Sequence, residues 1–207
     1  MAKISGAKCR LCRRAGTKLF LKGDRCNTAK CAIVKRNYPP GAAGAKGKPR
    51  LTTYGSQLRE KQKAKQTYGL SEKQFSTYFN KASKRTGNTA ELMLQMLETR
   101  LDNVIFRLGY TKSRAQARQY VGHGYFKINN RKVDIPSYHV KVGQVITLAP
   151  RTDKYKNLEN LQIDSAKVPG WLFMDNDKKE GKIVAVPKLE EMTHNFDSKL
   201  IIEFYSR

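Results

Sequence analysis

The sequence predicts an α+β protein in which helices come first and short antiparallel strands follow. Between residues 56 and 122, apolar side chains recur at the three- and four-residue spacing of amphipathic helices. From Tyr125 to Leu148 the period changes to two, as in strands with one buried face. Residues 1–50 follow neither period, because they are rich in Cys, Gly, Pro and Lys. That segment has almost no core of its own, so a metal, a bound polyanion or both must order it.

Helices are predicted through the first half of the chain. The first covers residues 56–68 and ends near Gly69. Ser71 to Gln74 is a capping-box pattern that opens a second helix, and Gly87 is a suitable terminator for it. The apolar faces expected in the core comprise Phe75, Tyr78, Phe79, Ala82, Leu92, Met93, Met96 and Leu97.

Two more helices and the strands follow from Glu98 onwards. Leu101, Val104, Ile105 and Leu108 form a helical stripe that Gly109 ends. Ser113 to Gln116 is a second capping-box pattern, and its helix ends at Gly122 or Gly124. Asn129-Asn130 predicts a tight turn between two strands, and Gln144 to Leu148 predicts the last strand of this region.

The last part of the chain carries mixed signals. We predict a helix near Tyr155–Ser165 and a break at Pro169-Gly170. Apolar segments at Trp171–Met174 and Ile183–Val186 are typical of strands.

The charge is strongly positive and unevenly placed. The 41 Lys and Arg outnumber the 17 Asp and Glu, giving a net charge of +24. Residues 1–50 hold 14 basic groups and one acid, residues 51–150 hold 17 and 6, and residues 151–207 hold 10 of each. Such an excess favours a nucleic-acid partner, bound through the first 150 residues, over a membrane surface. No apolar run reaches the ~18 residues that a spanning helix needs, and residues 1–14 lack the apolar centre of a signal peptide. We therefore expect a cytoplasmic protein with reduced thiols.

Four cysteines form the sharpest motif: Cys9, Cys12, Cys26 and Cys31 are spaced as C-x2-C, thirteen residues, then C-x4-C. Two close pairs across a short loop predict one structural Zn²⁺ held by four thiolates, a closed shell with no room for a substrate. Neighbouring Arg and Lys would offset the charge of that centre. An iron–sulfur cluster is the less favoured alternative, and unrelated free thiols or disulfides remain further alternatives.

A basic helix predicts nucleic-acid contact. Arg114 and Arg118 lie one turn apart on one helical face, beside an N-terminus suited to phosphate. Together with the basic N-terminal half, the candidate RNA-binding residues are Arg10, Arg13, Arg14, Lys18, Arg25, Lys30, Lys35, Arg36, Lys48, Arg50, Tyr54, Arg59, Lys61, Lys63, Lys65, Lys112, Ser113, Arg114, Arg118, His123, Lys127, Arg131 and Lys132.

No catalytic residues are predicted. The three histidines, His123, His139 and His194, lie beside no nucleophile motif, and no P-loop or dinucleotide-binding glycine pattern occurs. We expect neither enzymatic activity nor a small-molecule substrate.

A family resemblance adds to these predictions. Residues 100–137, "RLDNVIFRLGYTKSRAQARQYVGHGYFKINNRKVDIPS", resemble the RNA-binding module named after protein four of the small ribosomal subunit. The cysteine quartet, "YPPG" at 38–41, "LREKQKAKQTYGLSEKQF" at 58–75 and "IIEFYSR" at 201–207 resemble the bacterial family of that ribosomal protein over essentially the whole chain. Departures are Asn130, where the hairpin usually has Gly, and Tyr125, where a His is common.

The resemblance implies a structural ribosomal protein. It would bind small-subunit rRNA early, nucleate assembly of the 5′ domain, contribute to translational accuracy, and contact ribosomal small-subunit protein five and the mRNA near its entry channel. It implies a helical first domain and a small RNA-binding module. Together with the cysteine spacing, this predicts a helical first domain with a four-cysteine metal-binding N-terminal segment, plus an RNA-binding module of two helices and a short antiparallel sheet. We place the zinc segment at 1–45, the helical domain at 46–97, the module at 98–160, and at 161–207 a C-terminal segment that returns to the helical domain.

Two other functions remain open. An RNA-modifying enzyme could use the module as an anchor, but it would need a catalytic domain beyond residue 150. A zinc-containing transcription or antitermination factor would instead fail to associate with small ribosomal subunits.

Overall fold

The computed structural model describes residues 6–42, 44, 47, 50–149, 168–192 and 194–206. The described residues divide into two compact units. The first unit contains those up to Met93 together with those from 194 onwards, and the second runs from Leu94 to Met192. No helix in the described ranges is long and apolar enough to span a bilayer.

The N-terminal part of the first unit consists of short helices around a small core. Helix α1 spans Lys8–Ala15, a 3₁₀ turn spans Gly23–Cys26, and α2 spans Ala32–Lys35. Helix α1 ends because Gly16 adopts the left-handed conformation, with φ of 74°, and donates its N–H to the Cys12 carbonyl. The core beneath α1 contains Cys12, Ala15, Leu19 and, in part, Leu21.

Longer helices build the rest of the first unit. Helix α3 spans Thr53–Thr67, α4 spans Glu72–Ser83, and α8, the C-terminal helix, spans Ser198–Tyr205. The predicted capping box is confirmed, because the Ser71 hydroxyl accepts from Gln74 N–H while the Gln74 side chain accepts from Ser71 N–H. Helix α8 packs against α3, and its Tyr205 ring stacks on Phe79 of α4 at 4.6 Å between centroids.

The second unit begins with a helix hairpin. Helix α5 spans Thr89–Glu98 and contains the boundary between the units, α6 spans Leu101–Arg107, and α7 spans Arg114–Gly122. The α7 cap differs from the predicted box. Ser113 Oγ accepts from Gln116 N–H at 3.3 Å, but the Gln116 side chain accepts from the N–H of Lys112.

A five-stranded antiparallel sheet completes the second unit. Strands β1 to β5 are Phe126–Ile128, Arg131–Lys132, Val145–Leu148, Leu172–Asp175 and Glu180–Ile183. Their order in the sheet is β2-β1-β3-β5-β4. The predicted turn between β1 and β2 is confirmed, with Asn129 and Asn130 both left-handed at φ of 46° and 66°.

One core fills the second unit. The predicted stripe of Leu101, Val104, Ile105 and Leu108 is fully buried. It packs with residues from α7 and the sheet, including Val121, Phe126, Ile146, Trp171 and Ile183. The α+β class is therefore confirmed, with helices and sheet sharing a hydrophobic core.

The described residues of the C-terminal segment differ from the prediction. We expected 161–207 to return to the helical domain, yet β4 and β5 extend the sheet, with β5 pairing to β3. Only the described residues from 194 onwards group with the helical unit. The second of these strands also lies at Glu180–Ile183 and not at Ile183–Val186. The helix predicted near Tyr155–Ser165 lies outside the described residues.

Candidate nucleic-acid interface and cysteine cluster

The four cysteines line one small cavity of about 20 Å³. Helix α1 presents Cys9 and Cys12 one turn apart, Cys26 ends the 3₁₀ turn, and Cys31 immediately precedes α2. All but Cys9 are buried. Burial raises the pKa of the Cys12 thiol, and the nearby thiols of Cys26, Cys9 and Cys31 raise it further. The sequence spacing thus brings the four cysteine residues around one cavity.

The geometry of the cysteine cluster is looser than a coordination shell. All four are free thiols. Within the part of the chain that the structure describes, no three or more His, Cys, Asp or Glu side chains converge closely enough to hold a metal ion. The Lys22 N–H donates to Cys26 Sγ at 3.4 Å. Four cysteine sulfur atoms are a donor set that suits a soft metal. Their arrangement is wider than that of ligands around one metal ion.

A larger basic cleft of about 730 Å³ lies beside this cluster. Its wall shares Cys9 with the cysteine cavity, and among the described residues that line it Asp24 is the single acid. Six basic residues line it: Arg10, Arg13, Arg25, Lys30, Lys35 and Arg36. All six are among the predicted RNA-binding residues, so the fold gathers positions spread over 27 residues of sequence into one cationic concavity.

Arg13 links this cleft to the Tyr38–Pro39 segment that follows it in the chain. Its Nε donates to the Tyr38 carbonyl at 2.9 Å, and a second nitrogen donates to the Pro39 carbonyl at 3.2 Å. The guanidinium also lies over the Tyr38 ring, 4.7 Å from its centroid. Arg13 therefore holds the Tyr38–Pro39 segment as well as contributing charge to the cleft.

The lysines of α3 occupy a different environment from the one expected. Lys61 is 6% exposed, and its Nζ lies 2.6 Å from Glu72 Oε1 and 4.4 Å from the centroid of the Phe204 ring. Lys65 pairs with the same carboxylate at 2.8 Å, and Lys63 pairs with Glu60 at 2.6 Å. Lys61 is placed to hold α3, α4 and α8 together, because a buried ammonium needs these partners. Its predicted phosphate contact is the one least compatible with its position.

The second candidate surface lies on α7. Arg114 and Arg118 project from one face, as predicted, and both are partly exposed. Arg114 Nε donates to Asn103 Oδ1 at 2.7 Å, and its guanidinium lies 4.5 Å from the centroid of the Phe106 ring. Arg118 Nε donates to Asp102 Oδ2 at 3.1 Å.

Buried acids beneath these arginines escaped the sequence analysis. Glu98 is 1% exposed and receives two hydrogen bonds from Arg107, both at 3.0 Å. Asp102 is 4% exposed. Its carboxylate accepts two hydrogen bonds from Arg100, at 3.0 and 2.7 Å, and also pairs with Arg118. Their position beside the apolar stripe of α6 could have indicated buried, paired carboxylates, because an unpaired carboxylate would not be tolerated there.

The remaining predicted residues are distributed along both units. The exposed ones are Arg14, Arg50, Tyr54, Lys112, His123, Arg131 and Lys132, and the partly exposed ones are Lys18, Arg59, Ser113 and Lys127. Lys48 lies outside the described residues. His123 stays near Tyr125, with 3.4 Å between Nδ1 and the phenol oxygen, so an aromatic neighbour takes the place of a second histidine.

Comparison with known proteins agrees with this architecture. Residues 3–98 match the family model described as ribosomal protein S4/S9 N-terminal domain, and residues 99–146 match the S4 domain. Small ribosomal subunit protein uS4A of Alkaliphilus metalliredigens is 51% identical over 211 residues. The uS4 proteins of Clostridium beijerinckii and Acidobacterium capsulatum are each 50% identical, over 207 and 210 residues. Each alignment covers 100% of both chains.

The helical unit, the S4 module and the two cationic surfaces define a non-enzymatic ribosomal protein. The identity to full-length relatives is far above what chance similarity gives, and it extends along the whole chain. The chain belongs to the ribosomal protein S4 family.

Proposed function

We propose that this chain is a structural constituent of the small ribosomal subunit that binds small-subunit rRNA. The observation that carries the proposal is the cleft lined by six basic residues and one acid, in a chain whose net charge is +24. A cationic concavity of that size attracts a phosphate backbone by releasing its counterions. Full-length relatives named as small ribosomal subunit proteins support the ribosomal assignment.

The two surfaces have different roles in this proposal. The cleft and the exposed basic residues around α1 and α2 supply affinity through phosphate contacts. Helix α7 with the β1–β2 hairpin supplies a second contact through Arg114, Arg118 and Arg131. Specificity comes from the shape of a multi-helix junction, since the deep groove of an RNA duplex hides its bases.

Binding to a 5′-domain junction fragment tests the proposal. The chain should bind this rRNA fragment more tightly than a random duplex of equal length. Its affinity should fall with salt, with a log–log slope of roughly 0.7–0.9 for each phosphate neutralised. Equal affinity for the junction and the duplex would contradict a specific rRNA-binding role.

We further propose that Cys9, Cys12, Cys26 and Cys31 bind one structural Zn²⁺ ion. Four thiolates complete a tetrahedral shell, so the ion would order the N-terminal segment and leave no site for chemistry. The four cysteines line one cavity, and this supports the assignment. Elemental analysis of the purified chain should give about one zinc per molecule, whereas iron and sulfide absorbance in anaerobic preparations would favour the iron–sulfur alternative.

The finer family roles complete the proposal. Early binding would nucleate assembly of the 5′ domain, and contacts with ribosomal small-subunit protein five and with mRNA near the entry channel would influence translational accuracy. The place of action would be the ribosome in the cytoplasm. Omitting the chain from small-subunit reconstitution should leave the 5′ domain of the rRNA unprotected from chemical probes. Normal protection without the chain would exclude an assembly role.

A further inference from the structure

Two buried carboxylates lie directly under the cationic face of the second unit. We propose that Glu98 and Asp102 are positioning residues, which hold the arginines of α6 and α7 in the geometry that grips an RNA phosphate. The inference rests on the proposed rRNA binding. It identifies the residues that orient Arg114 and Arg118, the arginines of the second RNA-binding surface. Neither acid can touch RNA itself, because each is buried.

Asp102 clamps two arginines at once. Arg100 approaches through Nε and a terminal nitrogen, at 3.0 and 2.7 Å, and is itself only 2% exposed. Arg118 approaches Oδ2 through Nε at 3.1 Å and through a terminal nitrogen at 2.9 Å, with its side chain 17% exposed. The inner arginine holds the carboxylate, and the carboxylate in turn fixes the plane of the outer guanidinium. A planar guanidinium fixed in this way presents its outer edge in one direction.

Glu98 binds Arg107 directly and reaches Arg114 through an amide. Arg107 binds it in the two-pronged geometry, and Asn103 Nδ2 donates to Glu98 Oε2 at 2.8 Å. That bond sets the orientation of the Asn103 amide, so its Oδ1 faces α7 and accepts from Arg114 Nε at 2.7 Å. The Phe106 ring supports the same guanidinium from beneath. Arg114 is thus fixed by a chain of two hydrogen bonds that begins at a buried carboxylate.

This arrangement favours RNA binding because the arginines are ordered before RNA arrives. A long side chain that is already immobilised loses less conformational freedom on binding. The buried acids are each matched by at least one arginine, so the face stays cationic. An acid beneath an RNA-binding face therefore strengthens binding, although its own charge repels phosphate.

Electrostatics and positioning predict opposite changes in RNA affinity when the buried acid is neutralised. Asp102→Asn raises the net charge by one, and simple electrostatics predicts tighter RNA binding. Positioning predicts the reverse. Affinity for the 5′-domain junction fragment should fall about tenfold or more, since hydrogen bonds to charged groups are lost. The salt slope should also decrease by roughly 0.7–0.9, the value of one phosphate contact. The matched control is Asp134→Asn, which makes the same charge change at an exposed site in the same unit and should bind as tightly as wild type or more tightly.

A second variant and a measurement on the unaltered chain protect the test against misfolding. Asn103→Leu removes the acceptor from Arg114 without changing any charge, and it should also weaken binding and lower the slope. In the wild-type protein, NMR should show the Nε–H protons of Arg114 and Arg118 exchanging slowly with water. If the Asp102 variant is unfolded at the assay temperature, these two measurements decide.

The outcomes separate the two proposals. If folded Asp102→Asn or Asn103→Leu protein binds with wild-type affinity and slope, or if both Nε–H protons exchange rapidly, the positioning role is overturned and rRNA binding stands. If wild-type protein itself does not prefer the junction over a random duplex, the proposed function fails and the positioning role fails with it.

Discussion

At the scale of single residues, Glu72 contributes to the acid sensitivity of the helical unit. Partial burial would raise the pKa of this carboxyl, but hydrogen bonds from Lys61 and Lys65 lower it from 4.5 to about 2. A depressed carboxyl pKa stabilises the fold fully above about pH 4.5, and the contribution is lost as the pH falls towards 2. We expect Glu72→Gln to lower stability at pH 7 and to flatten its decline across this window. Urea unfolding followed at several pH values measures both effects, and parallel curves for variant and wild type would contradict the assignment.

Leu101 and the α7 arginines should separate folding from binding. Leu101 is fully buried, so Leu101→Ala should destabilise the second unit by about 2–5 kcal/mol with rRNA affinity unchanged where it remains folded.

Arg114→Ala with Arg118→Ala should weaken rRNA binding by several kcal/mol, at roughly 1.5–3 kcal/mol for each charged hydrogen bond.

The structure adds a stability effect to the double variant, because Arg118 neutralises part of the buried Asp102 charge. Replacement of both arginines by Lys should recover part of the affinity, since charge returns without the planar fork. Thermal melts and filter binding on the same samples separate the two quantities. Wild-type binding by the double Ala variant would show that the faces of α7 are wrongly assigned.

Single-residue roles were only partly predictable from the sequence. The cleft residues share a simple signal, which is a basic side chain in a segment without a core. Lys61 carries the same signal yet is buried, because a carboxylate and an aromatic ring from distant parts of the chain surround it. Glu98 and Asp102 were missed as well, because Arg107 and Arg118, which pair with them, lie on neighbouring helices that no local pattern identifies.

The N-terminal element depends on its thiols. Cys26→Ser should disorder residues 6–42 and abolish zinc binding, while the second unit stays folded on its own core. The hydrophobic core under α1 is too small to hold this segment folded by itself. Structural zinc contributes on the order of 10 kcal/mol to the folding of such segments. Limited proteolysis with circular dichroism provides the measurement. Protease resistance of the N-terminus in strong chelator would contradict the zinc proposal.

The β1–β2 turn requires left-handed backbone at Asn130. Asn130→Ala should destabilise the second unit by about 1 kcal/mol, because a Cβ without a polar group is unfavourable in that conformation. Asn130→Gly is the matched control and should be as stable as wild type or slightly more so. Thermal melts compare the three proteins, and an Ala variant as stable as the Gly variant would show that the turn relaxes.

Elements with strong local signals were predicted well, and β5 was not. Helices α4, α6 and α7 follow capping or apolar patterns that lie within one segment. The strand at Glu180–Ile183 includes Gly181, where an added Cβ would lie 2.4 Å from a Leu108 side-chain carbon. The strand is thus positioned by close approach to a helix seventy residues earlier, while the apolar run at Ile183–Val186 suggested a later start.

The charge of the whole molecule opposes folding in the absence of a polyanion. With a net charge of +24, self-repulsion is least screened at low ionic strength. We expect the melting temperature of the isolated chain to rise by about 2–4 °C between 10 and 150 mM salt, if screening relieves about 1 kcal/mol. The rRNA complex should respond in the opposite direction, because salt competes for phosphate. An isolated chain whose melting temperature falls with salt would contradict this account.

The helical unit is discontinuous along the chain, and this constrains the order of events during synthesis. Helix α8 packs on α3, and its Tyr205 ring stacks on Phe79 of α4. This helix nevertheless follows the entire second unit in sequence. Domains usually fold in the order of their synthesis. Here the unit that starts first finishes last, so the S4 module is complete while α3 and α4 still lack their covering helix. A nascent chain stalled after residue 192 would display the apolar faces of Phe75 and Phe79 to chaperones, and extension through Tyr205 would withdraw them.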